Sequence, residues 1–569
     1  LASVLLLLLD GEEVFFEAAA MLVTFVLFGH WMEMKSRRGT TDALRALFDL
    51  VPPTATVLRD GREVELATAE IVIGDAVLLR PGEKVPVDGE VVSGRTSVDE
   101  ALVTGESLPV DKEPGDAVIG GSINRSGAVT FRATKVGSDT ALAQIVTLVQ
   151  RAQASKAPGQ RLADRAAQYL VVLAVGSGIL TFVVWSLFGG VGFVLALTFA
   201  ISAVVIACPD ALGLATPTAV AVGTGIAARH NILIKDAATL EGLSGIQTVV
   251  LDKTGTLTEG RPSLTDVVPA GSWSEDDLLR LAAGAEVGSE HPLSQAIVEG
   301  ARARDIAVPE AERFAAIAGH GIEALVDGRA VLIGNARLMR ERGVESADVA
   351  LADRAEAFAG TGKTPMFVAI DGQPAGLLVV ADTVKPSARE AIRRFRQAGI
   401  EVVMMTGDNR RTAEAVAADL GIDRVFAEVL PEQKAGFVAE LQGEGKRVAM
   451  VGDGVNDAPA LAQADVGIAI GAGTDVAIET ATVVLMRSDP VDIMRAWVLS
   501  RATIRKMKQN LVWASVYNVL AIPVAAGVLY PRFGVMLRPE WSALLMSVSS
   551  IIVAINAVLL RRVEGELEG

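Results

Sequence analysis

The sequence predicts a multidomain membrane protein: an α-helical transmembrane bundle that carries polar domains of β-rich, α/β and α+β character. The first observation behind this prediction is hydrophobicity, since 51% of the 569 residues are hydrophobic and the mean hydropathy is +0.41. Several apolar runs are long enough to cross a bilayer. The second observation is a long polar region in which buried-strand patterns alternate with helical patterns, as in α/β proteins.

Charge and cysteine content exclude some classes of protein. The formal net charge is −16, which argues against nucleic acid as a partner and agrees with an acidic, solvated exterior of the polar domains. Cys208 is the single cysteine, so an intrachain disulfide or a CxxC pair is impossible. The chain opens inside an apolar run, which we expect to be the end of a truncated helix.

Residues 1–36 are predicted to be transmembrane. The run 14–34 is long enough to span, and the three cations that follow it directly place that end in the cytosol by the positive-inside rule. Glu17 lies near the outer end of the run and Glu33 near its inner mouth. Carboxylates at such depths are costly and mark functional sites, unless they reach the interface by snorkelling, and both readings stay open here.

Residues 37–155 are predicted to form a β-rich domain. Its short alternating strands are broken by turn signals, among them Pro81-Gly82 and Asp88-Gly89. The tetrapeptide TGES at 104–107 lies inside this domain. Alone it is typical of a surface turn.

Residues 156–228 are predicted to span the membrane outward, over 170–187, and then back. The returning helix contains Cys208-Pro209-Asp210. Proline interrupts the helix, and the freed carbonyls, a thiolate and a carboxylate then converge near mid-membrane, where transporters hold ions. An Asp at that depth costs roughly 2.5–3.5 kcal/mol on insertion scales, so an ion site is favoured over a plain proline kink.

The segment 229–262 contains the strand around which the chain is organised. Residues 248–251 are continuously apolar and β-branched, as in a buried parallel strand, and Asp252 follows them. A carboxylate at this end of a parallel strand faces the crevice where α/β sheets bind ligands, and Lys253 and Thr254 stand beside it. Asp252 is therefore placed to attack a phosphoryl group and form an aspartyl phosphate; the alternative is a polar strand-end turn.

The segment 375–500 repeats this pattern at two further strands, which end at Thr406 and at Asp453. We expect Asp453 to bind Mg²⁺ together with Asp252, because carboxylate oxygens suit that hard cation. Thr406 and Lys434 would hold the phosphoryl oxygens, since phosphoryl transfer depends on positioning and charge neutralisation.

Residues 263–374 are predicted to form an inserted domain. Its polar and glycine-containing turns are each typical of a plain loop when taken alone; they contain Glu286, His291, Gly319, Gly321, Gly334 and Asn335.

Residues 501–569 are predicted to form the last two spans, over 511–529 and 541–560, with cations at their cytosolic ends. The first carries Tyr517 and Asn518, and the second carries Met546 and Ser550. Such side chains serve packing in many membrane helices, but a Met with serines on a neighbouring helix favours ion coordination.

The motifs DKTGTLT, TGES, TGD and GDGVND, in the order of this chain, resemble those of the P-type ATPases. The turns of the inserted domain, taken together, resemble the nucleotide-binding domain of the heavy-metal-transporting, type IB branch, and the chain is most similar to the copper exporters of that branch. The resemblance covers essentially the whole chain. It implies a cytosolic actuator domain in which Glu106 orients water, a haloacid-dehalogenase-like phosphorylation domain, and an inserted nucleotide-binding domain for ATP with His291 near the adenine.

The resemblance also bears on the metal. The branch normally carries CPC or CPH where this chain has CPD, so Asp210 departs from the pattern and could favour a divalent metal. Cys208 and Met546 supply the soft sulfur ligands that favour Cu(I), and Tyr517, Asn518 and Ser550 fit the copper subgroups. By the same resemblance Glu33 and Asp164 match an entry route and Glu17 an exit carboxylate.

The expected function is ATP-driven export of a heavy-metal cation, with Cu(I) favoured, by a multi-pass protein of a bacterial inner membrane. ATP and Mg²⁺ are the expected cofactors, and the metal ion, the lipid bilayer and a cytosolic metal donor the expected partners. The alternatives are a divalent-metal pump, a membrane-tethered phosphatase of dehalogenase fold, a metal sensor that has lost pumping, and a potassium-type pump.

Overall fold

The computed structural model describes residues 51–59, 62–100, 109–155, 158–207, 210–289, 291–317, 320–344, 349–408, 410–453, 457–471 and 479–567, with scattered positions between 16 and 34. The chain divides into two compact units. The first contains Leu1–Gly245, Thr482–Arg487 and Arg495–Gly569, and the second contains Ile246–Ala481 and Ser488–Met494.

The first unit begins with the β-rich domain. Its elements are β1 (Thr54–Arg59), β2 (Arg62–Ala67), β3 (Ala76–Leu79), β4 (Asp88–Ser93), β5 (Thr96–Asp99), β6 (Val110–Lys112), β7 (Ala117–Val118), β8 (Ile123–Ser126), β9 (Val129–Lys135) and helix α1 (Ala141–Ala154). A six-stranded sheet has the order β2-β1-β3-β9-β4-β7, and a three-stranded sheet has the order β6-β5-β8. Alternate apolar residues of the larger sheet, such as Val77, Val91 and Phe131, form its core.

Asp88-Gly89, expected to break a strand, instead begins β4. A Cβ at position 89 would overlap the Phe131 ring, so the glycine serves the packing of β4 against β9 rather than a turn. The buried Asp88 carboxylate accepts hydrogen bonds from the backbone N–H groups of Gly120 and Ala141, both at 2.7 Å. It therefore fastens the start of α1 to the sheet.

The apolar helices follow. They are α2 (Pro158–Leu187), α3 (Phe193–Ile206) and α4 (Asp210–Arg229), and a short strand β10 (Ile232–Ile234) and helix α5 (Ala237–Ser244) come next. Within the described residues, the stretches long and apolar enough to cross a membrane are Ala167–Leu187, Phe193–Arg229 and Pro539–Val563. Helix α3 ends at Ile206, and α4 is described from Asp210 onward; Cys208 and Pro209, on which the predicted interruption depends, lie outside the described residues.

The second unit alternates strands and helices. In chain order they are β11 (Thr248–Asp252), β12 (Thr258–Pro269), α6 (Glu275–Glu286), α7 (Pro292–Arg302), β13 (Ala311–Ile317), β14 (Gly321–Val326), β15 (Arg329–Gly334), α8 (Ala336–Glu341), α9 (Val349–Gly360), β16 (Thr364–Ile370), β17 (Gln373–Val384), α10 (Pro386–Gln397), β18 (Glu401–Met405), α11 (Arg410–Leu420), β19 (Arg424–Phe426), α12 (Lys434–Gly443), β20 (Val448–Gly452), α13 (Ala458–Gln463) and β21 (Val466–Ile470).

A parallel sheet organises this unit, with neighbouring strands in the order β21-β20-β11-β18-β19. Strand β11 is buried along its whole length, which explains its unbroken run of apolar and β-branched residues. Because β11 pairs in parallel with both β18 and β20, the residues that follow these three strands come to one edge of the sheet.

The inserted domain is a six-stranded antiparallel sheet, β12-β17-β16-β15-β14-β13, and its core includes Leu278 and Ile297 from α6 and α7. Strands β12 and β17 pair from Thr258↔Val384 to Pro269↔Gly376. The sequence-based boundaries at 262/263 and 374/375 therefore fall inside these two strands, and the inserted sheet begins directly after the turn that follows Asp252.

The chain ends with β22 (Val483–Leu485), α14 (Val491–Ala525), α15 (Tyr530–Phe533), α16 (Pro539–Val558) and α17 (Glu564–Leu567). Strand β22 pairs antiparallel with β10. The predicted span 511–529 lies on helix α14, which is not among the described stretches found long and apolar enough to cross a membrane. Helix α14 stops at Ala525, before the expected end at 529, because Pro523 and Gly527, at φ +85°, end the helical pattern. Helix α16 packs against α3 and α4.

Candidate functional site

The predicted polar residues meet at the carboxyl edge of the parallel sheet. Asp252 is the last residue of β11 and lies opposite Met405 of β18, so Thr406 is the next position along that neighbour. Asp453 directly follows β20 on the other side. Both Asp252 and Thr406 are buried. The fold thus brings together the three strand ends that the sequence pattern singled out.

Lys434 lies between two carboxylates at this edge. It is the first residue of α12, and its Nζ lies 2.7 Å from Asp252 Oδ1 and 2.5 Å from Asp457 Oδ1. All three residues are buried. Sequence reasoning placed Lys434 here but gave no role to Asp457, whose only signal was its position in GDGVND.

The electrostatics of this cluster are strongly perturbed. Burial raises the pKa of the Asp252 carboxyl to about 7; the nearby Asp457 charge adds to the rise and Lys434 opposes it. Burial also raises the pKa of Asp457, again against Lys434. Burial alone would lower the pKa of Lys434, but the two carboxylates outweigh it and raise that pKa. The cluster therefore stabilises a charged lysine and favours additional positive charge.

A second ion pair orients the residue after Asp252. Lys253 Nζ lies 2.5 Å from Asp408 Oδ2, and the backbone N–H of Asp408 donates to Thr406 Oγ1 at 3.1 Å. The Thr406 hydroxyl thereby holds the loop that carries Asp408. The TGD motif predicted Thr406 as a site residue but gave no role to this aspartate.

The turn Lys253–Leu257 brings Asp453 close to the strand end. Gly255 adopts φ +72°, which favours glycine, and a Cβ there would lie 3.6 Å from Asp453 Oδ2. Asp252, Asp453 and Asp457 thus outnumber the one lysine that pairs within the cluster. Carboxylate oxygens suit a hard divalent cation such as Mg²⁺, but the described residues hold no group of three or more possible metal ligands, so Mg²⁺ binding here stays a prediction.

Lys385 holds the turn Lys253–Leu257 in place through hydrogen bonds. Its buried ammonium donates to the Gly255 carbonyl and to Ser488 Oγ, both at 2.7 Å, and its backbone N–H donates to Leu257 O at 2.9 Å. Nearby, Asp382 accepts hydrogen bonds from Thr258 Oγ1 and the Gly260 N–H. Both residues belong to DTVKP, a segment whose role only the tertiary structure reveals.

The inserted domain contains a cavity of about 390 Å³. Five of its six predicted contact residues line it, namely Glu286, His291, Gly321, Gly334 and Asn335. Gly319, the sixth, lies outside the described residues. That these residues contact a ligand stays a prediction. The fold does bring the five described residues to one concave surface.

The polar groups of this cavity are held by local hydrogen bonds. Ser294 Oγ donates to Glu286 Oε2 at 2.6 Å, and burial raises the pKa of the Glu286 carboxyl although this hydrogen bond opposes the rise. His291 Nδ1 accepts from the Leu293 N–H at 3.2 Å and so caps α7. A Cβ at Gly321 or Gly334 would overlap the backbone of the neighbouring strand, so these glycines allow β14 and β15 to meet closely.

Four of the predicted metal ligands lie on two helices, α14 and α16. Met546 and Ser550 are buried on α16, where Ser550 Oγ donates to Met546 O at 3.4 Å. On α14, the Tyr517 hydroxyl and Asn518 Oδ1 are buried without a hydrogen-bond partner among the described residues. Buried polar atoms without partners are costly, and Ser542 and Ser549 of α16 share this state, so metal binding by Tyr517 and Asn518 stays a prediction.

For the remaining predicted site residues the structure gives a helix position or an exposure at most. Cys208, Glu106 and Glu33 lie outside the described residues. Asp164 and Asp210 are described only as helix positions, in α2 and at the start of α4. Glu17 is exposed.

The comparisons with known proteins agree on one family, the P-type ATPases. Residues 246–465 match the haloacid dehalogenase-like hydrolases, and residues 49–150 match the P-type ATPase actuator domain. A copper-exporting P-type ATPase of Bacillus subtilis (strain 168) is 48% identical over 556 residues, which cover 98% of this chain and 68% of the relative. Copper-transporting ATPase 2 of Rhizobium meliloti (strain 1021) is 49% identical, over 97% of this chain and 66% of the relative.

A solved structure extends the comparison to the whole architecture. A zinc-transporting PIB-type ATPase in the E2.Pi state superposes with a TM-score of 0.64 and 34% sequence identity, over 95% of this chain and 87% of that one. The chain spans about two thirds of the length of the two copper-transporting relatives.

Substitution of Lys385 tests how the turn after Asp252 is held. In Lys385→Met the Gly255 carbonyl and the Ser488 hydroxyl lose their donor, which costs about 1–3 kcal/mol for buried polar groups. Hydrogen exchange of the backbone amides of residues 253–260 should accelerate, and Lys385→Arg should recover part of the protection. Lys446→Met is the matched control, because Lys446 pairs with Glu401 at the opposite end of the sheet. Equal exchange in Lys385→Met and wild type would contradict this role.

Proposed function

Because the chain belongs to the heavy-metal-transporting branch of the P-type ATPases, we propose that it couples ATP hydrolysis to the export of a heavy-metal cation, with Cu(I) as the favoured ion. The observation that carries the proposal is the buried Asp252 at the carboxyl edge of the sheet, held through Oδ1 by Lys434. The covalent intermediate would be an aspartyl phosphate on Asp252.

In the first step an Asp252 carboxylate oxygen attacks the γ-phosphorus of ATP. The new P–O bond forms as the bond to the bridging oxygen breaks, and ADP leaves with that electron pair. Lys434 and Thr406 hold the transferring phosphoryl oxygens, with Lys253 and Thr254 at the turn beside them. Mg²⁺, held by Asp252 and Asp453, would neutralise the charge of the phosphoryl group.

In the second step water releases the phosphate. Glu106 accepts a proton from the water as its oxygen bonds to phosphorus, and the bond to the Asp252 carboxylate breaks. Inorganic phosphate leaves, and the Asp252 carboxylate is restored. Phosphorylation and hydrolysis would alternate the exposure of the metal site to the two sides of the membrane.

We assign ATP to the cavity of about 390 Å³ in the inserted domain. A concave pocket with a few convergent polar groups is the expected form of a small-molecule site. Residues 263–374 would be the nucleotide-binding domain, 37–155 the actuator domain, and 229–262 with 375–500 the phosphorylation domain. Residues 1–36, 156–228 and 501–569 would be the membrane part.

The metal site would combine Cys208 and Asp210 with side chains of α14 and α16: Tyr517, Asn518, Met546 and Ser550. Support comes from the unpartnered polar atoms of Tyr517 and Asn518 and from the sulfur of Met546, which favours a soft ion. Glu33 and Asp164 would form the entry and Glu17 the exit. The names of the two relatives favour copper; Asp210 and the zinc-transporting structure keep a divalent metal as the second candidate.

We further propose a bacterial inner membrane as the location, which fits the spans found in the described part of the chain. A cytosolic metal donor would deliver the ion to the inner mouth, because free soft-metal ions are bound tightly by thiolate and thioether ligands.

Phosphoenzyme formation tests the catalytic assignment. Incubation with γ-labelled ATP should leave an acid-stable, hydroxylamine-sensitive label on wild type, and Asp252→Asn should reduce both the label and metal transport to background. Glu106→Gln should keep the label, with its decay slowed by about a hundredfold, since it removes a general base. The control is Asp419→Asn, at an exposed aspartate that pairs with Arg389 on the surface. Normal phosphate turnover in Glu106→Gln would refute that residue's role.

Metal-stimulated ATPase activity tests the cargo. Cu(I) should stimulate hydrolysis more than Zn(II), Cd(II) or Co(II), because sulfur ligands favour the soft ion. Asp210→Cys should keep or strengthen the Cu(I) response, and Asp210→Ala should show what the carboxylate adds. Greater stimulation by a divalent ion would favour the divalent-metal pump, and phosphate release that needs no metal would favour the tethered phosphatase.

A further inference from the structure

A groove of about 700 Å³ opens along one face of α14. It is lined by Arg501, Arg505, Lys508, Val512, Trp513 and Val516. The spacing of these residues follows the i, i+4 and i, i+3 steps of a helix, so cations occupy one half of the face and apolar side chains the other. None of them belongs to the phosphorylation site, the nucleotide cavity or the proposed metal ligands.

The cations of the groove have no acidic partner among the described residues. Arg501, Arg505 and Lys508 are exposed, and no carboxylate in the described part of the chain forms an ion pair with them. Arg501 instead stacks over the Trp497 ring at 5.0 Å, which fixes the guanidinium plane. Lys506, on another face of the helix, donates to Asn556 Oδ1 at 2.8 Å. The groove therefore concentrates positive charge that no described carboxylate neutralises through an ion pair.

The second half of the groove suits hydrocarbon. Val512, Trp513 and Val516 are 62%, 45% and 47% exposed, high values for large apolar side chains. With a rise of about 1.5 Å per residue, Val516 lies about 12 Å along the helix from Lys508. Trp513 stands between the charged and apolar halves, as tryptophan does at the boundary of a bilayer.

We propose that this groove binds an anionic phospholipid of the cytosolic leaflet. The phosphodiester of the head group would lie against Arg501, Arg505 and Lys508, because guanidinium forks match phosphate oxygens and because basic clusters at the cytosolic ends of spans attract anionic lipid. An acyl chain would lie along Val512 and Val516. A free phosphate would use only the charged half, so the apolar half favours a lipid.

The bound lipid would stabilise the part of α14 that carries the proposed metal ligands. Tyr517 directly follows Val516, and Asn518 is buried beside it. Lipid binding by the groove does not depend on transport. A groove that binds no lipid would leave the proposed phosphorylation of Asp252 unaffected.

The test is lipid retention by the delipidated full chain, measured by native mass spectrometry. Wild type should retain phosphatidylglycerol roughly tenfold more than phosphatidylcholine, and the triple variant Arg501→Gln/Arg505→Gln/Lys508→Gln should lose this preference. The matched control is Arg561→Gln/Arg562→Gln, which removes exposed cations near the cytosolic end of the last span but outside the groove. It should retain the preference.

Two further arms separate the possible causes. Inorganic phosphate at millimolar concentration should fail to displace retained phosphatidylglycerol; displacement would overturn the lipid assignment in favour of a simple anion site. Thermal unfolding without added lipid checks that the triple variant is folded. If it is not, Arg505→Gln should reduce the preference and Arg505→Lys should largely keep it. Equal retention by wild type and groove variants, or equal loss in the control pair, would refute the proposal.

Discussion

The arrangement of side chains at the carboxyl edge of the parallel sheet depends on one buried cation, Lys434, which lies between Asp252 and Asp457. Without it the two carboxylates would face each other with their charge uncompensated, which is strongly destabilising at a buried site. With it, Asp252 is fixed through one oxygen. The parallel pairing of β11 with β18 and β20, and the turn supported by Lys385, serve to hold this arrangement.

The membrane part shows a related constraint, in polar groups rather than charges. Tyr517 and Asn518 leave polar atoms buried without partners in the described residues, near helices whose other buried side chains are mostly apolar. Hydrocarbon offers no hydrogen bonds, so these atoms would gain a partner if a metal ion bound between α14 and α16, as proposed.

The sequence predicted well where the signal was local. The run 248–251 ending at Asp252 is such a signal, because an unbroken apolar run shows a buried strand. The sequence failed where a role depends on distant residues. Asp457 and Lys385 acquire their roles only through contacts with Lys434 and Gly255, which lie 23 and 130 positions away in the chain. The prediction that Asp88-Gly89 breaks a strand was wrong for a similar reason. The glycine is needed there because the Phe131 ring of a neighbouring strand leaves no room for a Cβ.

The most direct test of this account is single-turnover phosphorylation of Lys434→Met and of the double variant Lys434→Met/Asp457→Asn. The double variant removes one carboxylate together with the lysine, so it should fold when the single variant does not. The account predicts that covalent labelling from γ-labelled ATP falls by about a hundredfold in the double variant even though it is folded, because a positioned charge at the phosphoryl group is lost. Labelling at the wild-type rate in the folded double variant would contradict the central role of Lys434.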